Sequence, residues 1–222
     1  MILLCAVHCR AQASAPGAAV APASATGSEV GFRGGYGVPI GKASGVAGDQ
    51  LRGLISGQVP LWLEAGYRVL PHLRVGGYFG YGFGFIGDAI EAQCSDGWTC
   101  SVHDLRLGLD AQYHFAPGHP DPWLGVGVGY EWLDFSISGS GGGTDVQIRG
   151  FELLHLAGGL DVPLGSGFGL GPFAEVALAK YATASSRCRS ELTCSNSFTR
   201  DIQPISLHEW LFLGVRGTVL IN

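Results

Sequence analysis

Alternation between two kinds of side chain constrains the fold of this chain more than any other feature of its sequence. Apolar residues occupy every second position from 61 to 69 and again from 105 to 115, and mostly charged, polar or glycine residues stand between them. Successive side chains of a β-strand point to opposite faces, so the pattern indicates strands with one apolar and one polar face. Such segments are roughly ten residues long, which is the length that a tilted strand needs to cross a bilayer.

The breaks between the alternating segments are short and long in turn. Short breaks at 70–72, 116–121 and 165–167 separate long breaks at 41–59, 87–101, 138–149 and 182–205. Short periplasmic turns and long outer loops are typical of bacterial outer-membrane barrels. The sequence therefore predicts an all-β fold, a closed antiparallel eight-stranded transmembrane β-barrel. Its predicted strands are 30–40, 60–69, 73–86, 102–115, 122–137, 150–164, 168–181 and 206–221.

The composition favours a barrel in lipid over a soluble barrel with an apolar interior. Charged residues make up 14% of the chain and the mean hydropathy is +0.25, whereas a soluble domain carries about 25% charge. Lys42 and Lys180 are the only lysines, although a soluble barrel needs many solvated charges on its outer face. The chain has 37 glycines, many inside the predicted strands, and these leave room for long side chains in a narrow lumen.

The N-terminal region predicts export. Residues 2–9 are mostly apolar, and Ala13-Ser14-Ala15 fits the small residues of a cleavage site. We predict a signal peptide over 1–15, an Ala/Pro/Ser-rich periplasmic tether over 16–29 and the barrel over 30–222. A disordered Ala-rich tail is the alternative for the first segment. Together with the strand pattern, export predicts a location in the bacterial outer membrane.

Four cysteines form two pairs with the same spacing, in breaks between strands. Cys94 and Cys100 are separated by five residues, as are Cys188 and Cys194. In an exported protein this spacing predicts two small loop disulfides, although a bridge between the two loops stays open. Zinc fits less well because its ligand pairs commonly stand two to four residues apart, and no metal site or other cofactor is expected.

The strand count, the alternation of loop lengths and the export segment resemble the small eight-stranded outer-membrane barrels of the OmpA, OmpX and OmpW type. The resemblance covers about residues 30–221 and is architectural, since no family-specific catalytic motif accompanies it. It implies contact with outer-membrane lipid. It also implies two alternatives to a plain scaffold: a narrow conduit for small apolar molecules, as in OmpW-like barrels, and a lipid A-modifying enzyme acting at the outer rim.

Charges of both signs lie on the face that is predicted to point into the lumen. An eight-stranded barrel is just wide enough for its own side chains, so we expect these charges to form an ion-paired plug rather than an ion path. The residues are Arg33, Glu64, Arg68, Arg74, Asp104, Arg106, Asp110, Glu131, Asp161, Glu175 and Arg216.

A weak catalytic candidate lies at the predicted outer mouth of the last strand. Ser206 and His208 are two residues apart, and Glu209 follows, which supplies a nucleophile, a base and an orienting acid. The Ser-x-His order differs from the His-x-Ser order of the outer-membrane deacylases. Short polar clusters are common at strand ends, so we expect an ordinary rim and no enzyme.

The last long break carries arginines that could contact lipopolysaccharide. Arg187, Arg189 and Arg200 have few acidic neighbours in sequence, and guanidinium groups suit phosphates; an ordinary solvated loop is the alternative. The net charge of −5 and the absence of a basic run argue against a nucleic-acid partner. The sequence thus predicts a monomeric, non-enzymatic surface scaffold that presents outer loops, whose ligand it does not identify.

Overall fold

Eight long antiparallel strands close into a barrel in the computed structural model, which describes residues 26–91, 94, 97–165, 167–189 and 197–221. The predicted closed eight-stranded barrel is confirmed. Its wall consists of β1 Gly27–Gly41, β2 Ile55–Leu70, β3 Leu73–Ile86, β4 Thr99–His114, β5 Asp121–Gly139, β6 Gly142–Pro163, β7 Phe168–Cys188 and β9 Leu207–Ile221. A short strand, β8 Phe198–Asp201, pairs with the outer part of β7.

Closure comes from the pairing of the first strand with the last. β1 pairs with β2 on one side and with β9 on the other, and β9 pairs in turn with β7. Each of the eight wall strands therefore has a neighbour on both sides. A closed sheet satisfies its backbone hydrogen bonds without an edge, which is what a bilayer requires of a spanning β structure.

The outer surface of this wall is apolar. Leu63, Leu109 and Leu213 are more than half exposed, and so large an exposed apolar surface is stable in lipid rather than in water. Aromatic side chains gather about halfway along β5 and β6, where the ring of Tyr130 lies 4.6 Å from that of Trp132 and 5.0 Å from that of Phe151. Such rings are typical of the boundary between lipid tails and headgroups.

The third long loop of the sequence prediction, 138–149, is wrong. β5 and β6 continue past the membrane as a hairpin whose last pair is Gly139 with Gly142, so only two residues form its turn. The glycine-rich sequence at the turn favoured a flexible spacer. Beyond the turn, however, Val146 and Ile148 alternate with polar residues along β6 and pack against the core. β7 is also longer than predicted, because it pairs with this extension of β6.

Two short helices and an apolar cluster close the outer mouth of the barrel. The helices are α1 Leu51–Leu54 and α2 Asp88–Glu91. Leu51 and Ile55 are fully buried and pack in one cluster with Leu133 and Phe135 from β5. We call this cluster the apolar cap. Among the described residues, no helix is long and apolar enough to cross a bilayer.

The first strand begins earlier than predicted. Gly27, Ser28 and Glu29 belong to β1 rather than to the tether assigned to 16–29. The carboxylate of Glu29 is buried in the lumen, where arginines hold it, and this fixes the strand start. The predicted signal peptide and most of the tether lie outside the described residues.

Gly108 tests how tightly the lumen is filled. A Cβ atom at this position would overlap the Tyr78 hydroxyl and the carbonyl oxygen of Val128. Gly108→Ala should therefore lower the free energy of unfolding by about 1–3 kcal/mol, as overpacking does. The check is the urea midpoint at which heat-modifiable gel mobility is lost. Gly217→Ala is the matched control, because its Cβ would meet no atom closer than 3.7 Å; equal midpoints for both variants would contradict the prediction.

Candidate functional site

The predicted inward charges lie inside the barrel and contact one another. Every member of the set is buried except Arg68, whose side chain is 11% exposed. The alternation of each strand places them there, since one face of the strand points to the lumen. Their contacts form one network near the periplasmic end and a second one nearer the outer mouth.

Arg216 organises the network near the periplasmic end. Its guanidinium nitrogens lie 3.2 Å from Glu29 Oε1, 3.1 Å from Glu64 Oε2 and 2.9 Å from Asp161 Oδ2. It also donates a hydrogen bond of 2.8 Å to Gln112. One planar fork thus bridges three carboxylates, a geometry that lysine could not supply.

Neighbouring arginines extend this network through shared carboxylates. Arg33 Nε lies 2.8 Å from Glu64 Oε1, and its Nη1 contacts Glu175. Arg74 Nε lies 3.2 Å from Glu29 Oε1 and its Nη1 lies 3.0 Å from Asp110 Oδ2. Arg68 Nη2 contacts Glu29 at 2.5 Å.

Arg106 organises the network nearer the outer mouth. Its nitrogens lie 2.8 Å from Asp104, 3.1 Å from Glu131 and 2.9 Å from Glu152. Between the two networks, Arg33 stacks over Trp62 at 4.8 Å. Arg106 stacks over Trp210 at 5.3 Å, so aromatic rings fill the cross-section that the ion pairs leave.

Sequence reasoning missed several members of these networks. Glu29 was assigned to the tether, Glu152 was not recognised as a lumen group, and the pairing of three histidines with buried carboxylates was not predicted. His155 Nδ1 lies 2.6 Å from Glu152, His208 Nε2 lies 3.2 Å from Glu131, and His114 Nδ1 lies 2.8 Å from Asp121.

A β-bulge explains why Glu152 was missed. Glu152 pairs with Gly129, but His155 pairs with Gly127, so β6 carries one extra residue at Leu153. The bulge reverses the alternation, and residues 152 and 155 both point inward. A strict period of two cannot place both positions on one face.

The catalytic candidate at the rim is not assembled. The Ser206 hydroxyl donates to the carbonyl of Leu207. His208 is fully buried, contacts Glu131 and stacks on Tyr181. Glu209 follows His208 on the opposite face of β9. The weak catalytic alternative is therefore not brought together in this structure, because His208 lies in the lumen.

The three arginines proposed for lipopolysaccharide do not form one cluster. Arg189 makes two contacts to the Asp145 carboxylate and donates to Ser136 at 2.8 Å. The hydrogen bond from Arg189 lowers the pKa of Asp145, so this pair is charged at neutral pH. Arg200 belongs to β8, and its guanidinium lies 5.0 Å from the centre of the Phe198 ring. Arg187 is exposed.

One of the two predicted loop disulfides is described. Cys94 and Cys100 are bonded, with their Cα atoms 5.7 Å apart. Cys188 is also disulfide-bonded, and Cys194 lies outside the described residues. Among the described residues, no group of three or more His, Cys, Asp or Glu side chains is arranged to hold a metal ion.

Removal of Arg106 tests the buried network. Arg106→Leu would leave three buried carboxylates without their cation, and breaking a buried pair costs about 3–5 kcal/mol. We expect the heat-modifiable folded band to disappear at a clearly lower temperature than in the wild type. Arg52→Leu is the control, because Arg52 is exposed on α1. If both variants unfold at the wild-type temperature, the network does not stabilise the barrel.

No family model and no curated protein matches the chain. It is similar to a major outer membrane protein from Thermus thermophilus, with 15% identity over 89% of this chain and 100% of that one and a TM-score of 0.58. OprG from Pseudomonas aeruginosa matches at 16% identity over 88% of this chain and 97% of that one, with a TM-score of 0.51.

A third similar structure is Neisserial surface protein A, with 12% identity over 89% of this chain and 98% of that one and a TM-score of 0.50. At these identities the likeness concerns the fold, which is that of the small outer-membrane barrels. The predicted location in the bacterial outer membrane agrees with this fold and with the apolar outer wall.

Proposed function

We propose that the chain is a non-enzymatic scaffold of the outer membrane, whose closed barrel holds outer loops and the β5–β6 hairpin in fixed positions above the lipid. The filling of the lumen carries this proposal. Ion pairs around Arg216 and Arg106 occupy it below, and the apolar cap occupies its outer mouth. A wall of this kind offers function chiefly through what it displays.

The displayed segments are held in three ways. Cys94–Cys100 staples the loop that contains α2, and we propose the matching Cys188–Cys194 bridge for the last loop. The hairpin above the membrane is an extension of the wall itself, paired residue by residue up to Gly139 and Gly142. Rigid presentation reduces the entropy that a partner must overcome on binding.

Lipid and lipopolysaccharide are the proposed partners of the wall and of the outer arginines Arg187, Arg189 and Arg200. The barrel is proposed to act as a monomer, since each wall strand is already paired on both sides.

A conduit for small apolar molecules is the second candidate, because such a conduit needs an apolar upper lumen and the apolar cap provides apolar side chains there. The packing of the cap argues against an open conduit, because Leu51, Ile55 and Leu133 are fully buried and fill the mouth. A path would require α1 to move away from the mouth.

Closure predicts the electrical behaviour of the barrel. The full-length protein, reconstituted in planar bilayers, should show no steady conductance above the bilayer baseline, because arginine–carboxylate pairs block the lumen. An open porin reconstituted in the same way confirms that insertion is detectable. Steady single-channel steps from the barrel would overturn the closed-scaffold proposal.

The absence of rim chemistry predicts unchanged lipid A. Ser206→Ala and the wild type, expressed in the same Gram-negative host, should give identical lipid A acylation by mass spectrometry, because the Ser206 hydroxyl donates to a backbone carbonyl and His208 is held by Glu131 in the lumen. A host without the barrel supplies the baseline. An acylation change that requires Ser206 would restore the enzyme alternative.

A further inference from the structure

A polar cleft lies on the outer face of the extended sheet, above the membrane wall. Its volume is about 560 Å³, and we call it the outer cleft. The β5–β6 hairpin, the outer part of β7 and the short β8 form it. Its lining is rich in charged and hydroxyl groups, among them Asp134, Asp145, Arg149, Arg187, Ser185 and Thr199.

The register of the strands places the polar groups of the outer cleft on one face. Gln147 pairs with Asp134 on one side and with Ser185 on the other, and Ser185 pairs with Thr199. Partners across a sheet point to the same face. The opposite face carries Val146 and Ile148, which pack inward, so the polar face looks away from the barrel axis.

A second bulge brings β7 onto this face. Gly150 pairs with Tyr181, but Arg149 pairs with Thr183, so β7 carries an extra residue at Ala182. Below the bulge the odd-numbered Tyr181 points into the lumen and is buried. Above it, odd-numbered Arg187 turns outward and lies beside Asp145.

The charges of the outer cleft leave two cations available. Asp145 is held by Arg189, and Asp134 accepts a hydrogen bond of 2.8 Å from Gln147. Arg149 and Arg187 are exposed, and among the described residues neither has a carboxylate within ion-pair distance. The cleft therefore presents two guanidinium groups next to the hydroxyls of Ser185 and Thr199.

The position of the outer cleft relative to the lipid identifies what can reach it. Arg149 pairs across the sheet with Trp132, and Phe151 lies two residues below it on the same face. Trp132 and Phe151 both belong to the aromatic group around Tyr130. Arg149 thus lies beside the rings that mark the headgroup boundary, where a lipid in the wall's own leaflet carries its polar head. Arg187 pairs with Asp145, four residues farther from the membrane along β6.

We propose that the outer cleft binds the phosphorylated sugar headgroup of a glycolipid in the outer leaflet, with Arg149 and Arg187 on the phosphates and the serine and threonine hydroxyls on the sugar. Planar guanidinium forks bind phosphate through paired charge-assisted hydrogen bonds. The acyl chains of the same molecule would lie on the aromatic group and the apolar wall below. The assignment rests on the membrane placement in the proposed function, but not on the closure of the lumen.

Lipid A binding to the full-length barrel tests the assignment. Diphosphoryl lipid A is titrated into the detergent-solubilised protein, and bound lipid is counted by native mass spectrometry. The cleft variant is Arg149→Ala with Arg187→Ala, and we expect its Kd to rise by roughly tenfold or more, because two phosphate contacts are lost.

A matched control separates the cleft from general attraction by positive charge. Lys42→Ala with Arg52→Ala removes the same charge from the segment between β1 and β2, and its Kd should stay within about twofold of the wild type. Heat-modifiable mobility shows that each variant is folded. If the cleft variant binds as the wild type does, or the control loses as much affinity, the assignment is overturned.

Two measurements on the wild type keep the test independent of the variants. Fully dephosphorylated lipid A should bind more weakly than the diphosphoryl form, and equal binding would overturn the assignment even if the cleft variant did not fold. Inorganic phosphate in large excess should leave lipid A bound; displacement by phosphate alone would show a free-anion site instead. If lipid A binding fails these tests while the barrel shows no conductance, the glycolipid assignment is overturned and the closed-scaffold proposal is retained.

Discussion

Charge neutralisation inside a narrow lumen is the constraint on which this barrel depends. Eight of the carboxylates buried in the barrel are contacted by five arginines: Glu29, Glu64, Asp104, Asp110, Glu131, Glu152, Asp161 and Glu175, with Arg33, Arg68, Arg74, Arg106 and Arg216. A buried carboxylate without a partner costs several kcal/mol, and every one of these arginines except Arg68 serves more than one acid. This sharing ties strands together across the lumen as well as along the wall. Arg216 of β9 holds Glu29 of β1, Glu64 of β2 and Asp161 of β6.

The same constraint decides where function can lie. Groups that serve the network, such as His208 on Glu131, are unavailable for chemistry at the rim. The lumen is filled by ion pairs and aromatic rings, and its outer mouth is filled by apolar side chains from α1 and β5. What is left is the surface above the lipid, where the hairpin and the short β8 carry polar groups that the wall does not need.

Much of the wall could be predicted from the sequence, because alternation reports directly on a face that meets lipid. β3 runs from Leu73 to Ile86 as predicted, and its neighbours differ from their predicted limits mainly at their outer ends. Bulges defeated the prediction, since the extra residue at Leu153 hides Glu152 from a period of two. The apolar cap was missed because its members come from α1 and from strand ends, where no periodicity links them. The outer cleft depends on the register of four strands, which cannot be read from the sequence.

The bulge at Leu153 has a consequence for how this wall can change in length. Neighbouring side chains on a strand of this wall face opposite sides, one toward the lipid and the next toward the lumen. The insertion or loss of a single residue therefore moves every side chain beyond it to the other side. At Leu153 the bulge accommodates one extra residue, so Glu152 and His155 both lie on the lumen side and contact each other. Elsewhere in the wall, length can vary only in steps of two residues, or by a second compensating bulge. At the two-residue turn between Gly139 and Gly142, two added or removed residues would lie outside both the lipid and the lumen. The hairpin is therefore the part of the chain whose length is most free to diverge.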